Sequence, residues 1–264
     1  MIGGWVQAAN PWSVFPVSVA AILLAAMAGQ TLGQRVRVRR GAEGAQHLAP
    51  LQGALIGLLS LLIGFTFSLS AARFEARKSA VLYEANAISA AQERAALLPA
   101  PHAAEAGRLL TEYLDVRITL GGNGRRPAEQ IRAIARSLRL EDDLWKEAGA
   151  VFAEDARSQR ASLFVQALNQ IGDSHAQRLA ADRNQVPQAV FLMLYGLAIT
   201  AWGFTGYVGG RAGAHNTISN LVLATAFATV IALVSDLDRP GSGLVTVSQS
   251  PLLDLKANLI RPSG

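Results

Sequence analysis

The chain has 264 residues, of which 51% are hydrophobic and 16% charged, and its net charge is +5 at neutral pH. It contains no cysteine, which excludes disulfides, thiolate catalysis and cysteine-ligated metals. The 16 basic and 15 acidic side chains between Arg73 and Arg183 nearly cancel. Because a nucleic-acid interface needs a clustered basic face, usually with aromatic platforms, we expect no nucleic-acid partner.

The apolar residues are concentrated in four blocks that carry no charged side chain. A membrane-spanning helix needs about 20 predominantly apolar residues to cross about 30 Å of hydrocarbon. All four blocks meet this requirement, so the sequence predicts transmembrane helices at 14–32, 51–72, 188–209 and 217–235.

The first block predicts an uncleaved anchor rather than a signal peptide. No basic residue precedes it, and a cluster of arginines follows it, which reverses the charge order of a secretory signal. The cluster, Arg35, Arg37, Arg39 and Arg40, is typical of a cytoplasmic loop and places the segment between spans two and three outside. Basic residues near the other membrane ends favour the reverse orientation. Since short loops and the first helix weigh most, the charges lean slightly toward an extracytoplasmic segment.

The second span continues into charged sequence without a break. After Gly64 no Gly or Pro occurs before Pro99, although the sequence changes from apolar to charged near Arg73. The pattern predicts one helix that leaves the bilayer unbroken, as a helix joining a pore to a soluble domain would.

The middle of the chain, 74–185, is rich in helix-forming residues and is interrupted clearly at two places. The interruptions are the Pro-Ala-Pro of 99–101 and the Gly-rich turn of 121–127. Apolar stripes between them need partners, which predicts a bundle of about four helices. The expected fold is an all-α membrane protein with four transmembrane helices and a helical-bundle domain inserted between helices two and three. The expected parts are transmembrane helices one and two at 1–72, the helical domain at 73–186, transmembrane helices three and four at 187–236, and a C-terminal tail at 237–264.

The sequence offers no set of residues typical of catalysis. The four histidines are scattered, and none has a second histidine at helical spacing, so we expect no metal site. The chain contains no Gly-x-Ser-x-Gly, Walker or dinucleotide-binding motif. These features predict no catalytic residues, no cofactor and a protein that is not an enzyme.

One face of the second span changes character along its length. Residues spaced by four, three, four, three and four positions form a stripe that begins apolar, becomes hydroxyl-bearing and ends in guanidinium groups. Around the axis of an oligomer this order would suit a pore for anions. Alternatively, the hydroxyls bond the preceding helical turn and the arginines reach toward lipid headgroups. The predicted pore-lining residues are Leu59, Ile63, Thr66, Ser70, Arg73 and Arg77.

Polar residues farther along the same helix predict structural support. We expect Glu84 and Asn86 to hydrogen-bond to neighbouring helices or subunits. The segment 236–243, which carries two acids beside Arg239, predicts a capped helix end with an ion pair, since calcium would need more oxygen ligands.

Four motifs resemble those of a bacterial membrane family described as bestrophin-like. They are Gly-Phe-Thr-Phe-Ser at 64–68, Glu-Ala-Asn-Ala-Ile at 84–88, Ala-Leu-Asn-Gln-Ile-Gly-Asp at 167–173 and Asp-Leu-Asp-Arg-Pro-Gly-Ser-Gly at 236–243. The resemblance implies an integral protein of the bacterial inner membrane with lipid around it. Bestrophins are homopentameric anion channels in which the second of four membrane helices lines the pore. Two features differ from that family. The middle domain of bestrophins is cytoplasmic, whereas the charges of this chain slightly favour an extracytoplasmic one. The sequence of their apolar neck does not align with residues 59–67.

Two functions from different classes follow. The first is a homo-oligomeric, pentameric ion channel that favours anions and uses the second helix as its pore lining. The alternative is a non-conducting membrane scaffold or sensor whose helical domain binds a protein partner. A small-solute transporter is a third possibility, disfavoured because the four spans contain no charged residue.

Overall fold

The computed structural model describes residues 11–40, 46–121, 127–213, 217–239 and 243–260. Over these residues the structure is helical and contains no strand. A 3-10 turn at Gln46–Leu48 precedes the second of the α-helices. The α-helices are α1 (Pro11–Arg40), α2 (Ala49–Ala95), α3 (His102–Leu120), α4 (Pro127–Glu154), α5 (Gln159–Arg183), α6 (Gln188–Ala212), α7 (Thr217–Leu237) and α8 (Ser250–Ile260).

Four helical stretches in the described residues are long and apolar enough to cross a membrane. They contain α1, α2, α6 and α7, which confirms the all-helical class and the four predicted spans. The chain divides into two compact units. The first unit contains α1, α2 as far as Arg73, α6 and α7, and the second contains α2 from Phe74 onward, α3, α4, α5 and α8.

The core of the first unit is built from all four of its helices. Ile22 of α1, Leu59 and Ile63 of α2, Trp202 of α6 and Ile231 of α7 belong to one apolar cluster. Alanines of α1, α6 and α7 also belong to the cluster, beside larger residues such as Phe191 and Leu194. Close packing of small residues is a main source of helix association in lipid, where no hydrophobic effect drives helices together.

Helices α1 and α6 approach each other through glycines. A Cβ on Gly29 would collide with the carbonyl oxygen of Gly203, and a Cβ on Gly206 would collide with that of Ala26. Gly33 and Gly210 make equally close approaches one turn farther along the two helices. The two backbones therefore touch over several turns, and any side chain at these positions would separate the helices.

The second unit has its own core, in which Ile88, Leu110, Leu144 and Phe164 from α2, α3, α4 and α5 are buried. Leu252 of α8 is fully buried in the same cluster. The segment predicted as a C-terminal tail therefore contains a helix that packs into this unit.

Two local features differ from the sequence prediction. The bundle has a third interruption at 155–158, where Ser158 accepts a hydrogen bond from the backbone N–H of Ala161 and caps α5. The arginines predicted to lie in a loop after the first span instead form the last turns of α1, which ends at Arg40. Most of the predicted Gly-rich turn, 122–126, lies outside the described residues.

The glycine contact between α1 and α6 yields a matched test. Gly206→Ala should lower the thermal midpoint of the purified protein, because overpacking of this kind costs about 1–3 kcal/mol. Gly196→Ala lies on the same helix where a Cβ meets nothing within 4 Å, and it should leave the midpoint unchanged. Equal midpoints for the two variants in detergent would contradict the close approach.

Candidate functional site

Helix α2 carries all of the residues predicted to line a pore. In the single chain, Leu59, Ile63, Thr66 and Ser70 are buried in the first unit. The Thr66 hydroxyl donates to the carbonyl of Leu62 at 2.7 Å. Its hydrogen bond is therefore made within α2 itself. The chain's own side chains thus cover this part of the face, and its assignment to a pore stays a prediction.

The two arginines of the predicted stripe are also held within the chain. Arg73 lies 3.9 Å from the carboxylate of Asp238 in the first unit. The same carboxylate oxygen accepts a hydrogen bond from the backbone N–H of Val186 at 2.7 Å. Arg77 is 2% exposed in the second unit. The positive charge expected at the end of the stripe is therefore partly neutralised at Arg73 and enclosed at Arg77.

The carboxylate of Asp236 binds the backbone of the chain segment that follows α7. It accepts hydrogen bonds from the backbone N–H groups of Leu244, at 3.0 Å, and Val245, at 2.8 Å. The capped helix end and the ion pair beside Arg239 that the sequence predicts for this turn stay predictions, and 240–242 lie outside the described residues. No cluster of three or more possible metal ligands occurs in the described part of the chain.

The opposite face of α2 is open in the first unit. Small exposed residues recur along it at helical spacing, beside larger exposed ones such as Leu61 and Phe65. The small residues are Gly53, Gly57, Ser60, Gly64 and Ser68. A Cβ added to any of the three glycines would meet nothing within 4 Å. Packing within the chain therefore does not require glycine here. The spacing of these residues was visible in the sequence, but the contrast with the glycines of α1 and α6 emerges only in the structure.

Glu84 forms a buried ion centre in the second unit. Its fully buried carboxylate pairs with Arg117 of α3 and Arg178 of α5 through short contacts. Arg178 also donates to the side-chain oxygen of Gln249, which precedes α8, at 2.9 Å. Glu84 thereby joins helices of one chain, while a role between subunits stays a prediction.

Asn86 lies on a different surface of the same helix. It is exposed and borders a groove of about 460 Å³ together with Tyr83, Gln170 and Asp173. The groove lies between the outer faces of α2 and α5. The predicted role of Asn86 in supporting a neighbouring helix or subunit also stays a prediction.

His102 connects the start of α3 to the end of α4. Its Nδ1 lies 2.8 Å from a Glu147 oxygen, and its Nε2 lies 3.2 Å from a Glu154 oxygen. Only the doubly protonated ring can donate to both carboxylates. The hydrogen bonds to Glu147 and then Glu154 accordingly raise the pKa of His102 above its usual value. Sequence reasoning missed this contact because the three residues are widely separated along the chain.

A second polar network surrounds Glu141 of α4. Tyr113 donates its hydroxyl to Glu141 at 3.0 Å, and His175 Nδ1 lies 3.0 Å from the same oxygen. Burial raises the pKa of Glu141, but the hydrogen bonds from His175 and Tyr113 outweigh it and leave the pKa below the usual range. This network ties α3, α4 and α5 together beside the Glu84 centre.

Four membrane-length helices and a helical unit with a buried ion centre define a polytopic α-helical membrane protein. A model of the Bestrophin-like domain matches residues 20–252. The chain belongs to the bestrophin-like family.

Solved structures share this fold at low sequence identity. A bacterial bestrophin homolog from Klebsiella pneumoniae, with an isoleucine-to-threonine mutation, matches at 15% identity and a TM-score of 0.62, covering 92% of this chain and 98% of that one. A membrane protein with a proline-to-alanine substitution matches at 16% identity and a TM-score of 0.66, covering 95% and 97%. No curated protein matches the chain. The family points to channel-type membrane proteins rather than enzymes.

Removing the charge of Glu84 should destabilise the protein strongly. Glu84→Gln leaves Arg117 and Arg178 buried without their counter-charge, and losing one partner of a buried ion pair costs about 3–5 kcal/mol. Glu93→Gln makes the same chemical change at an exposed position of α2 and should have little effect. Thermal unfolding of both purified variants checks the difference, and similar midpoints would contradict the ion centre.

The contact of His102 predicts a pH-dependent stability. Because the folded pKa is raised, the contribution is full below the unfolded pKa of about 6.5 and is lost as pH rises through the folded value. The midpoint difference between wild type and His102→Gln should therefore shrink as pH rises above about 6.5. The same comparison with exposed His47→Gln should show no such trend. A difference that grows with pH would contradict this interpretation.

Proposed function

We propose that this chain forms a homopentameric ion channel that favours anions, with α2 lining the pore. The observation that carries the proposal is the open face of α2, where a Cβ on any of three glycines would meet no described residue within 4 Å and two serines are exposed. A membrane helix exposes such a face where another surface or an aqueous path adjoins it. Membership of the bestrophin-like family, which suggests an ion channel, supports the same conclusion.

The open face is a better pore lining than the predicted stripe. A pore-lining side chain must reach the axis once the copies assemble, but Leu59, Ile63, Thr66 and Ser70 are covered within their own chain. The open face can reach the axis without any repacking. We therefore favour the Gly53 to Ser68 face, and the stripe is the alternative that accessibility measurements separate from it.

The chemistry of this face supports a preference for anions. Its polar groups within the span are the hydroxyl of Ser68 and that of Ser60, which donates to the carbonyl of Ile56 at 2.9 Å. No acidic side chain occurs in the four predicted spans. Rings of carboxylates are the usual device for attracting cations, and hydroxyl donors can contact an anion directly. A pore with donors and no acids therefore excludes the common arrangement of a cation channel.

The proposal also covers placement in the cell. We place the protein in the bacterial inner membrane, surrounded by lipid, with the second unit as a helical domain between the second and third spans. The arginines at the end of α1 support a cytoplasmic location for that end and an extracytoplasmic one for the helical domain.

Reconstituted protein gives the direct test of conduction. Planar bilayers should show single-channel current, and the reversal potential under an asymmetric potassium chloride gradient should lie toward that of chloride. Particles viewed along the membrane normal should form a five-fold ring. A monomeric or dimeric, non-conducting particle would instead support the scaffold or sensor.

The two faces of α2 can be distinguished by single cysteines, since the chain has none of its own. Ser60→Cys, Gly64→Cys and Ser68→Cys should each make the current sensitive to a water-soluble thiol reagent. Thr66→Cys and Ser70→Cys lie on the buried face and should be insensitive. The reverse pattern would restore the predicted stripe as the pore lining, and thiol-insensitive current in all five would remove α2 from the pore.

A further inference from the structure

A polar cavity of about 190 Å³ lies within the second unit among α3, α4 and α5. Its polar lining consists of Arg117, Gln130, His175, Arg178 and Asp182, and each of the three helices adds an aliphatic side chain. This space suits a small organic molecule.

Arg117 supplies the unusual feature of the cavity. Its side chain is 4% exposed, its Nε contacts Glu84, and its guanidinium lies 5.9 Å from the ring centre of Tyr113. Its two Nη atoms make no hydrogen bond to any residue that the structure describes. Neither Nη atom is among the enclosed polar atoms of the described residues, so both reach accessible space. Their N–H groups are therefore available to an acceptor that enters the cavity.

The neighbouring charged groups already have partners or stand apart from Arg117. Arg178 donates to Glu84 and Gln249, and His175 Nδ1 contacts Glu141. Asp182 makes no ion pair within 4 Å among the described residues, and burial raises its pKa despite the opposing effects of Arg178, Arg77 and Arg117. Asp182 therefore leaves the Nη atoms of Arg117 available to a ligand.

We propose that this cavity binds a small organic carboxylate, held by the Nη atoms of Arg117, with Gln130 and Asp182 contacting the rest of the molecule. A carboxylate matches the planar fork of a guanidinium with two parallel hydrogen bonds, which a spherical halide does not. Binding is independent of conduction. Its consequence for gating rests on the proposed channel function, because the ligand would act on the arginine that holds Glu84 of α2.

Sodium propionate is the probe, tested on the full-length protein in detergent. Its addition should raise the thermal midpoint in a saturable way relative to sodium chloride of equal ionic strength, since a ligand that binds only the folded state stabilises it. An absent or unsaturable rise, or an equal rise with chloride, would overturn the proposal.

Two variants locate the binding. Arg117→Lys keeps the charge beside Glu84 but removes the planar fork, and should weaken propionate binding at least about tenfold. Gln130→Trp occupies the cavity while leaving the residues of the ion centre unchanged, and it should abolish the stabilisation. Gln166→Trp makes the same change at an exposed position of α5 outside this lining and should bind normally. If Arg117→Lys does not fold, the Gln130→Trp variant alone tests the site. Unchanged propionate binding by Gln130→Trp would refute the site.

Current measurements separate this proposal from the channel proposal. Propionate that binds and also changes open probability in the wild type, but not in Gln130→Trp, supports the gating role. Binding with unchanged current overturns that role and leaves the site intact. Binding by a protein that never conducts overturns the channel proposal alone.

Discussion

The buried carboxylate of Glu84 is the constraint on which the second unit depends. A carboxylate removed from water carries a desolvation penalty of several kcal/mol, which only close and well-placed counter-charges offset. Here two guanidinium groups from different helices meet it, and one of them also binds the residue before α8. The positions of α2, α3 and α5 are therefore coupled, because moving any one of them would leave a charge buried without a partner.

The first unit is held together by a different kind of interaction. Its helices α1 and α6 meet through glycine backbones that exclude any side chain. In lipid, such contact replaces the hydrophobic effect that drives helices together in water. Helix α2 takes part in both units. It contributes apolar residues to the core of the first unit and the buried charge of Glu84 to the second.

Much of the fold could be predicted from the sequence, because bilayer thickness imposes a length on apolar blocks and prolines mark helix ends. The four spans and the break at 99–101 followed from those rules. The interruption at 155–158 was missed because Ser158 caps α5 within a polar stretch that resembles helix surface. Helix α8 was missed because eleven residues give a weak periodic signal, and its place depends on the burial of Leu252.

The candidate site shows why periodicity alone is insufficient. A helical wheel groups Leu59, Ile63, Thr66 and Ser70 on one face, but it cannot say whether that face meets the same chain, another copy or water. Glycine is equally ambiguous in sequence. Gly206 allows two backbones to touch, whereas Gly64 faces open space. The fold of one chain explains the first kind of glycine, whereas the second kind leaves a face of α2 available for the contacts that the proposed assembly requires.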